Sequence, residues 1–132
     1  MKLKHFYVCI CMVLANILSI HATVKNITLT EAGTLSVQIP ESEQEQVTEL
    51  TITGPLNGAD ILTIRTMAGN LKVLDLKNAN IIEDKKTSYY GTGSNANYTQ
   101  NNVIGDRMFY GMAALTKIVL PKNVWSIGTW TE

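Results

Sequence analysis

Apolar positions along this chain change their spacing several times, and each change predicts an element. The start, Met1-Lys2-Leu3-Lys4-His5, is basic, and the apolar run Phe6 to Ile20 follows it, interrupted by Asn16. Leu35-Ser36-Val37-Gln38-Ile39 alternates strictly and stops at Pro40, which predicts a half-exposed strand. Glu41 to Gln46 is polar and acidic and reads as a solvated loop. Val47-Thr48-Glu49-Leu50-Thr51-Ile52-Thr53 is rich in β-branched residues and is closed by Gly54-Pro55, so it predicts a second strand. The spacing then turns helical, with Ile61, Ile64, Met67 and Ala68 on one face. Asn57 is placed to cap that helix, Asp60 suits its positive first turn, and Gly69-Asn70 ends it. Arg65 lies among these positions, its stem expected along the apolar face or its head on a carboxylate. Leu71 to Leu76 returns to strand character. After the polar stretch 83–102, Arg107 to Met112 predicts a turn or short helix carrying Phe109 inward.

The leading run changes the chemistry available to the rest. A basic start, an apolar stretch shorter than the roughly 20 residues of a membrane span, and the small-residue end at Ala22 make residues 1–22 a secretory signal peptide. A retained membrane anchor is the alternative. Cleavage would remove Cys9, Cys11, His5 and His21, which are the only cysteines and histidines. The mature chain then has no thiol or imidazole, so it can build neither a Ser-His-Asp nor a Cys-His arrangement, nor a Cys/His zinc site. No metal or other cofactor is expected. Of 11 basic residues, Lys2 and Lys4 also leave, giving 9 against 11 acidic ones. With no basic stripe, nucleic acid is not an expected partner, and no membrane span remains after cleavage.

The strand-like segments share a register. Leu71, Leu74, Leu76 and Ile81 stand at the positions of the leucine-rich-repeat template L-x-x-L-x-L-x-x-N-x-L, with Ala79 in place of the asparagine. Leu115, Ile118 and Leu120 fit it again, with Asn123 in the asparagine position, and Val47, Leu50 and Ile52 repeat its opening. Val47 to Leu71 spans 24 residues, within the usual period of roughly 20–29. Leu71 to Leu115 spans 44, because residues 83–102 intervene. Each such unit offers a strand whose inward face it cannot cover alone, so units stack into a parallel sheet. The expected fold is an α/β repeat: a short leucine-rich-repeat solenoid with parallel strands at 47–132, a polar loop insertion at 83–102 and a β-rich N-terminal cap at 23–46.

Taken together, these motifs resemble BspA-like leucine-rich-repeat surface proteins of host-associated bacteria. The resemblance is carried by Leu50 to Ile61, Ile64-Arg65-Thr66-Met67, Leu74 to Ile81, Asn102 to Gly111, and Leu115 to Pro121 with Val124, Ile127 and Gly128. It also takes in Glu31-Ala32-Gly33-Thr34-Leu35. It implies a secreted or cell-surface repeat protein whose relatives bind host, matrix or neighbouring-cell proteins or glycans. Where such proteins continue past Ser126-Ile127-Gly128 with further repeats, this chain ends at Thr129-Trp130-Thr131-Glu132, as an N-terminal portion truncated at its C-terminus would.

The expected function is therefore non-catalytic recognition of a protein or glycan. The candidate contacts are Tyr89, Tyr90 and Tyr98 in the polar insertion, or else an insert that the fold merely tolerates. Thr51, Asp75, Lys77 and Lys117 alternate with inward leucines and would face the exposed sheet, where an ordinary solvated face is the plainer reading. Trp125 and Trp130 are assigned to the core or a repeat interface. Gly91-Thr92-Gly93 completes no phosphate-binding motif, and Asp84 and Asp106 complete no calcium loop. Two alternatives compete: a truncated structural fragment with no activity of its own, and a secreted carbohydrate-active enzyme working through two carboxylates. The edge from Ile118 to Ile127 is a candidate for self-association.

Overall fold

The structure, a computed structural model, describes residues 21–129. The expected signal-peptide run Phe6 to Ile20 and the site of Trp130 lie outside these residues. No helix among the described residues is long and apolar enough to cross a membrane.

The fold is α/β, built on a four-stranded parallel sheet. Strands β1 (Thr23–Thr28), β2 (Val47–Leu56), β3 (Val73–Ile81) and β5 (Lys117–Val119) pair in chain order. Two further short strands, β4 (Val103–Ile104) and β6 (Ser126–Ile127), form a second parallel ladder. Asn26 lies opposite Thr51, Thr51 opposite Asp75, and Asp75 opposite Val119, intervals of 25, 24 and 44 residues. In the second ladder Val103 lies opposite Ser126, 23 residues on. Parallel neighbours require a long return path after each strand. Residues 29–46 supply it between β1 and β2, helix α3 (Gly58–Thr66) between β2 and β3, and the turns of residues 105–115 ahead of β5. The last two of these return paths are joined by the backbone bond from Ala114 N–H to Ala68 O.

The core lies between sheet and return paths. Leu50, Ile52, Leu74 and Leu76 point inward to meet Ile61, Ile64 and Met67, and all seven are at most 1% exposed. Burial of each such side chain stabilises by roughly 1.5–3 kcal/mol. Phe109 turns inward as expected, 4% exposed. Asn57 and Asp60 form a reciprocal cap at the start of α3: Asn57 Oδ1 accepts from Ala59 N–H, and Asp60 Oδ2 accepts from Asn57 N–H.

Several segments differ from expectation. Leu35 to Ile39 is not a strand. Leu35–Gln38 forms a single helical turn, α1, in which Ile39 N–H donates to Leu35 O. Leu35 and Ile39 are both fully buried while Val37 is 78% exposed. An apolar residue at every second position also places apolar residues four apart, and here tertiary bonds choose the helical option. Asp60 accepts from Gly33 and Leu35 N–H at 2.6 and 2.9 Å and pins the chain entering the turn. Residues 41–46 are not a plain loop. Glu41–Gln44 forms α2, and Gln44 is buried, donating to Ile39 O and accepting from Thr66 Oγ1. Strand β2 continues through Gly54-Pro55 to Leu56, which is possible because β1 ends opposite Thr53. Trp125, assigned above to the core or a repeat interface, is 74% exposed, its indole N–H donating to Asn101 O. Asn123, at the asparagine position of the template, donates its amide to the Asn80 side chain at 2.8 Å, and both residues are exposed. The edge considered for self-association carries Ile127, 53% exposed, beside Trp125.

Candidate functional site

The sheet presents its outward residues in rows. One row runs Val24, Glu49, Val73, Lys117, and the next runs Asn26, Thr51, Asp75, Val119. Side chains alternate across a strand, so burial of Leu50, Ile52 and Leu74 sends these residues to the opposite face. Thr51 and Asp75 are thus direct neighbours on adjacent strands, and Lys117 stands one row away. Lys77 arises from a local irregularity. Between Thr51/Asp75 and Thr53/Asn78, β2 advances two residues while β3 advances three, so β3 carries a bulge. Asp75 Oδ1 accepts from Lys77 N–H across it, and Lys77 and Asn78 are both exposed. Asp75 therefore shapes the strand as well as lining the face. The four sheet residues lie on one side of the molecule.

The tyrosines do not join them. The insertion 83–102 is ordered by its own bonds. Asp84 pairs with Thr99 and Tyr90 with Asn97 in antiparallel bridges. The Ser88 hydroxyl lies within hydrogen-bonding distance of the carbonyls of Tyr90, Gly91 and Asn97, while buried Thr99 donates to Ile82 O. Tyr89 anchors this insert: it is only 2% exposed, and it lines the floor of a neighbouring depression. Its hydroxyl donates to Asp106 O at 3.0 Å. Burial, reinforced by the nearby Asp106 charge, pushes its ionisation up to about 12. At Asp84 burial acts to raise the pKa, yet the N–H bonds from Lys86 and Thr87 outweigh it and hold the carboxyl below its ordinary value.

Tyr90 belongs to the layer of return paths. Its ring lies 5.3 Å from the guanidinium carbons of both Arg65 and Arg107 and meets Tyr110 edge-on at 5.7 Å. Arg65 donates to three carbonyls, those of Arg107, Met108 and Tyr110. These bonds join α3 to the turns of residues 105–115, and Tyr90 packs over the same junction. Of the three loop tyrosines expected to contact a ligand, Tyr98 is the most exposed, at 39%, while Tyr90 is half-buried.

Tyr98 borders a polar groove that residue patterns alone did not reveal. Two adjoining depressions of about 370 and 320 Å³ share Ala96, Asn97 and Asp106. The first extends to Ser94 and Asn95, the second to Tyr98, Gln100 and Ser126. The abundance of Asn, Ser and Gly in 91–102 was the available signal, but the opposite wall comes from residues 105–106 and 126–129, far along the chain. No cluster of three metal-ligating side chains occurs among the described residues. Compared with known proteins, the chain matches no protein-family model and no curated protein.

Proposed function

We propose that this chain is a secreted or surface-displayed leucine-rich-repeat binding module of the BspA-like kind, which recognises a protein ligand on the open face of its parallel sheet and catalyses nothing. One observation carries this reading: strands that follow one another in sequence pair in register about every 24 residues and leave outward side chains in straight rows. Such rows are what stacked repeat units produce. The rows Val24–Glu49–Val73–Lys117 and Asn26–Thr51–Asp75–Val119 set short polar and aliphatic side chains beside three charges, acidic Glu49 and Asp75 and basic Lys117. Thr, Asn and Val lose little rotamer freedom when a partner covers them, which favours binding. Export would rest on the basic start and apolar run of residues 1–22.

The test is a titration of the chain against matrix and cell-surface proteins. A ligand should emerge, and Thr51→Arg or Lys117→Glu should each weaken it about tenfold, roughly 1.4 kcal/mol, with the melting temperature unchanged. A ligand indifferent to both substitutions would contradict the proposal.

A further inference from the structure

A groove lies between the insertion and the chain around β4 and β6. Its first wall is residues 94–100, held by Asn97 N–H to Tyr90 O at 2.7 Å, by Tyr89 N–H to Asn97 O at 2.9 Å, and by the Ser88 hydroxyl. Its second wall is Gly105-Asp106 with residues 126–129, joined by Gly128 N–H to Ile104 O at 2.7 Å and by Thr129 N–H to Asp106 Oδ1 at 2.6 Å. The Tyr89 hydroxyl ties the two walls together through Asp106 O. Gly105 allows this approach, since a Cβ there would overlap the Tyr89 hydroxyl. The groove is therefore shaped before any ligand arrives, which lowers the ordering cost of binding.

Its lining selects a class of ligand. Asn97, Gln100, Ser94 and Asn95 each offer both a donor and an acceptor, while exposed Asp106 adds carboxylate oxygens and exposed Arg107 a guanidinium, so the charges of the lining balance. Sugar hydroxyls also donate and accept at once, so such a lining matches them group for group. Tyr98 supplies a half-exposed aromatic ring for the apolar C–H side of a sugar. A peptide anchor, by contrast, needs a desolvated apolar pocket, and here only Ala96 and Val103 contribute aliphatic surface. Each depression lies near the lower end of ligand-pocket volumes, roughly 300–1,000 Å³, which suits one sugar ring apiece. We propose that this groove binds a short neutral glycan, one ring against Tyr98 with its hydroxyls on Asn97, Gln100 and Asp106, and the next ring reaching Ser94 and Asn95.

The experiment uses the intact chain, isotope-labelled, titrated by NMR with glucose, galactose, mannose, N-acetylglucosamine and the disaccharides cellobiose, lactose and chitobiose. One saccharide type should shift residues 94–106 and 126–129, its disaccharide binding more tightly than the single ring. Tyr98→Ala and Asn97→Ala should each weaken binding about tenfold, and Tyr98→Trp should preserve it. Unchanged dispersion of the remaining spectrum would show that the variants fold. Thr51→Arg should leave saccharide binding intact, which separates this site from the sheet face. The proposal fails if no saccharide shifts these residues at ~10 mM, a concentration that would reveal even millimolar affinity. It fails equally if Tyr98→Ala, still folded, binds as the parent does.

Discussion

Asp60→Ala should lower the unfolding free energy by about 4 kcal/mol, and the reason is local and countable. The Asp60 carboxylate is fully buried and accepts three backbone N–H bonds, from Gly33 at 2.6 Å, Leu35 at 2.9 Å and Asn57 at 3.0 Å. Each N–H left without a partner away from water costs about 1–3 kcal/mol. Gly33 and Leu35 are 27 and 25 residues away in sequence, so the carboxylate also fixes how the segment after β1 meets α3. Domains of this size are stable by roughly 5–15 kcal/mol, so this one change removes a large share. The expected reading is a thermal midpoint lowered by about 15–20 °C, with the Gly33 and Leu35 amides losing exchange protection first. Asp60→Asn should recover part of the loss, because one amide oxygen still accepts while its NH₂ faces donors. A loss below about 1 kcal/mol for the alanine variant would mean that these bonds are not the anchor described.

Gly54→Val should be nearly as damaging, through the backbone. Gly54 has φ +101 inside a strand, a conformation that costs a residue with a side chain about 1–3 kcal/mol. A Cβ there would also overlap the Leu29 carbonyl oxygen, and the close approach of β2 to the chain after β1 leaves no flexible atom to yield. Together these effects should cost at least about 3 kcal/mol in a denaturant melt. Gly69→Ala is the matched control. A Cβ at Gly69 meets nothing within 4 Å, so its effect should stay within about 0.5 kcal/mol. Equal effects at the two positions would refute the assignment of Gly54 to a close backbone approach.

Asp60 also shows where sequence reading succeeded and where it stopped. Asn57 and Asp60 at a three-residue spacing announced a helix start, because capping is local chemistry. The inward alternation of Leu50 with Ile52 and of Leu74 with Leu76 announced strands for the same reason. That Asp60 also holds Gly33 and Leu35 was not legible, since no local pattern links positions 25 or more apart. Strand β1 escaped notice because Thr23 and Lys25 occupy inward positions, and Lys25 does so by pairing with Glu43 at 2.6 Å. Leu35 to Ile39 misled because two-residue and four-residue spacings coincide over five positions. The insertion was the hardest part. Its composition suited either disorder or recognition, and only tertiary bonds distinguish buried Tyr89 from exposed Tyr98. The Asn, Ser and Gly of 91–102 hinted at one wall of the groove, but its shape was not legible, because the walls meet only after β4 and β6 pair.

Strands about 24 residues apart lie in register, so that their outward residues form continuous rows across the sheet. Disulfide trapping tests this directly, since bonded cysteines need Cα atoms roughly 4.4–6.8 Å apart. With Cys9 and Cys11 changed to serine, Asn26→Cys combined with Thr51→Cys should cross-link readily under mild oxidation, because those residues are direct partners. Asn26→Cys combined with Thr53→Cys should not, because Thr53 pairs with Thr28. Efficient trapping of the second pair, with none of the first, would show a different register and would dissolve the rows on which the proposed binding face rests.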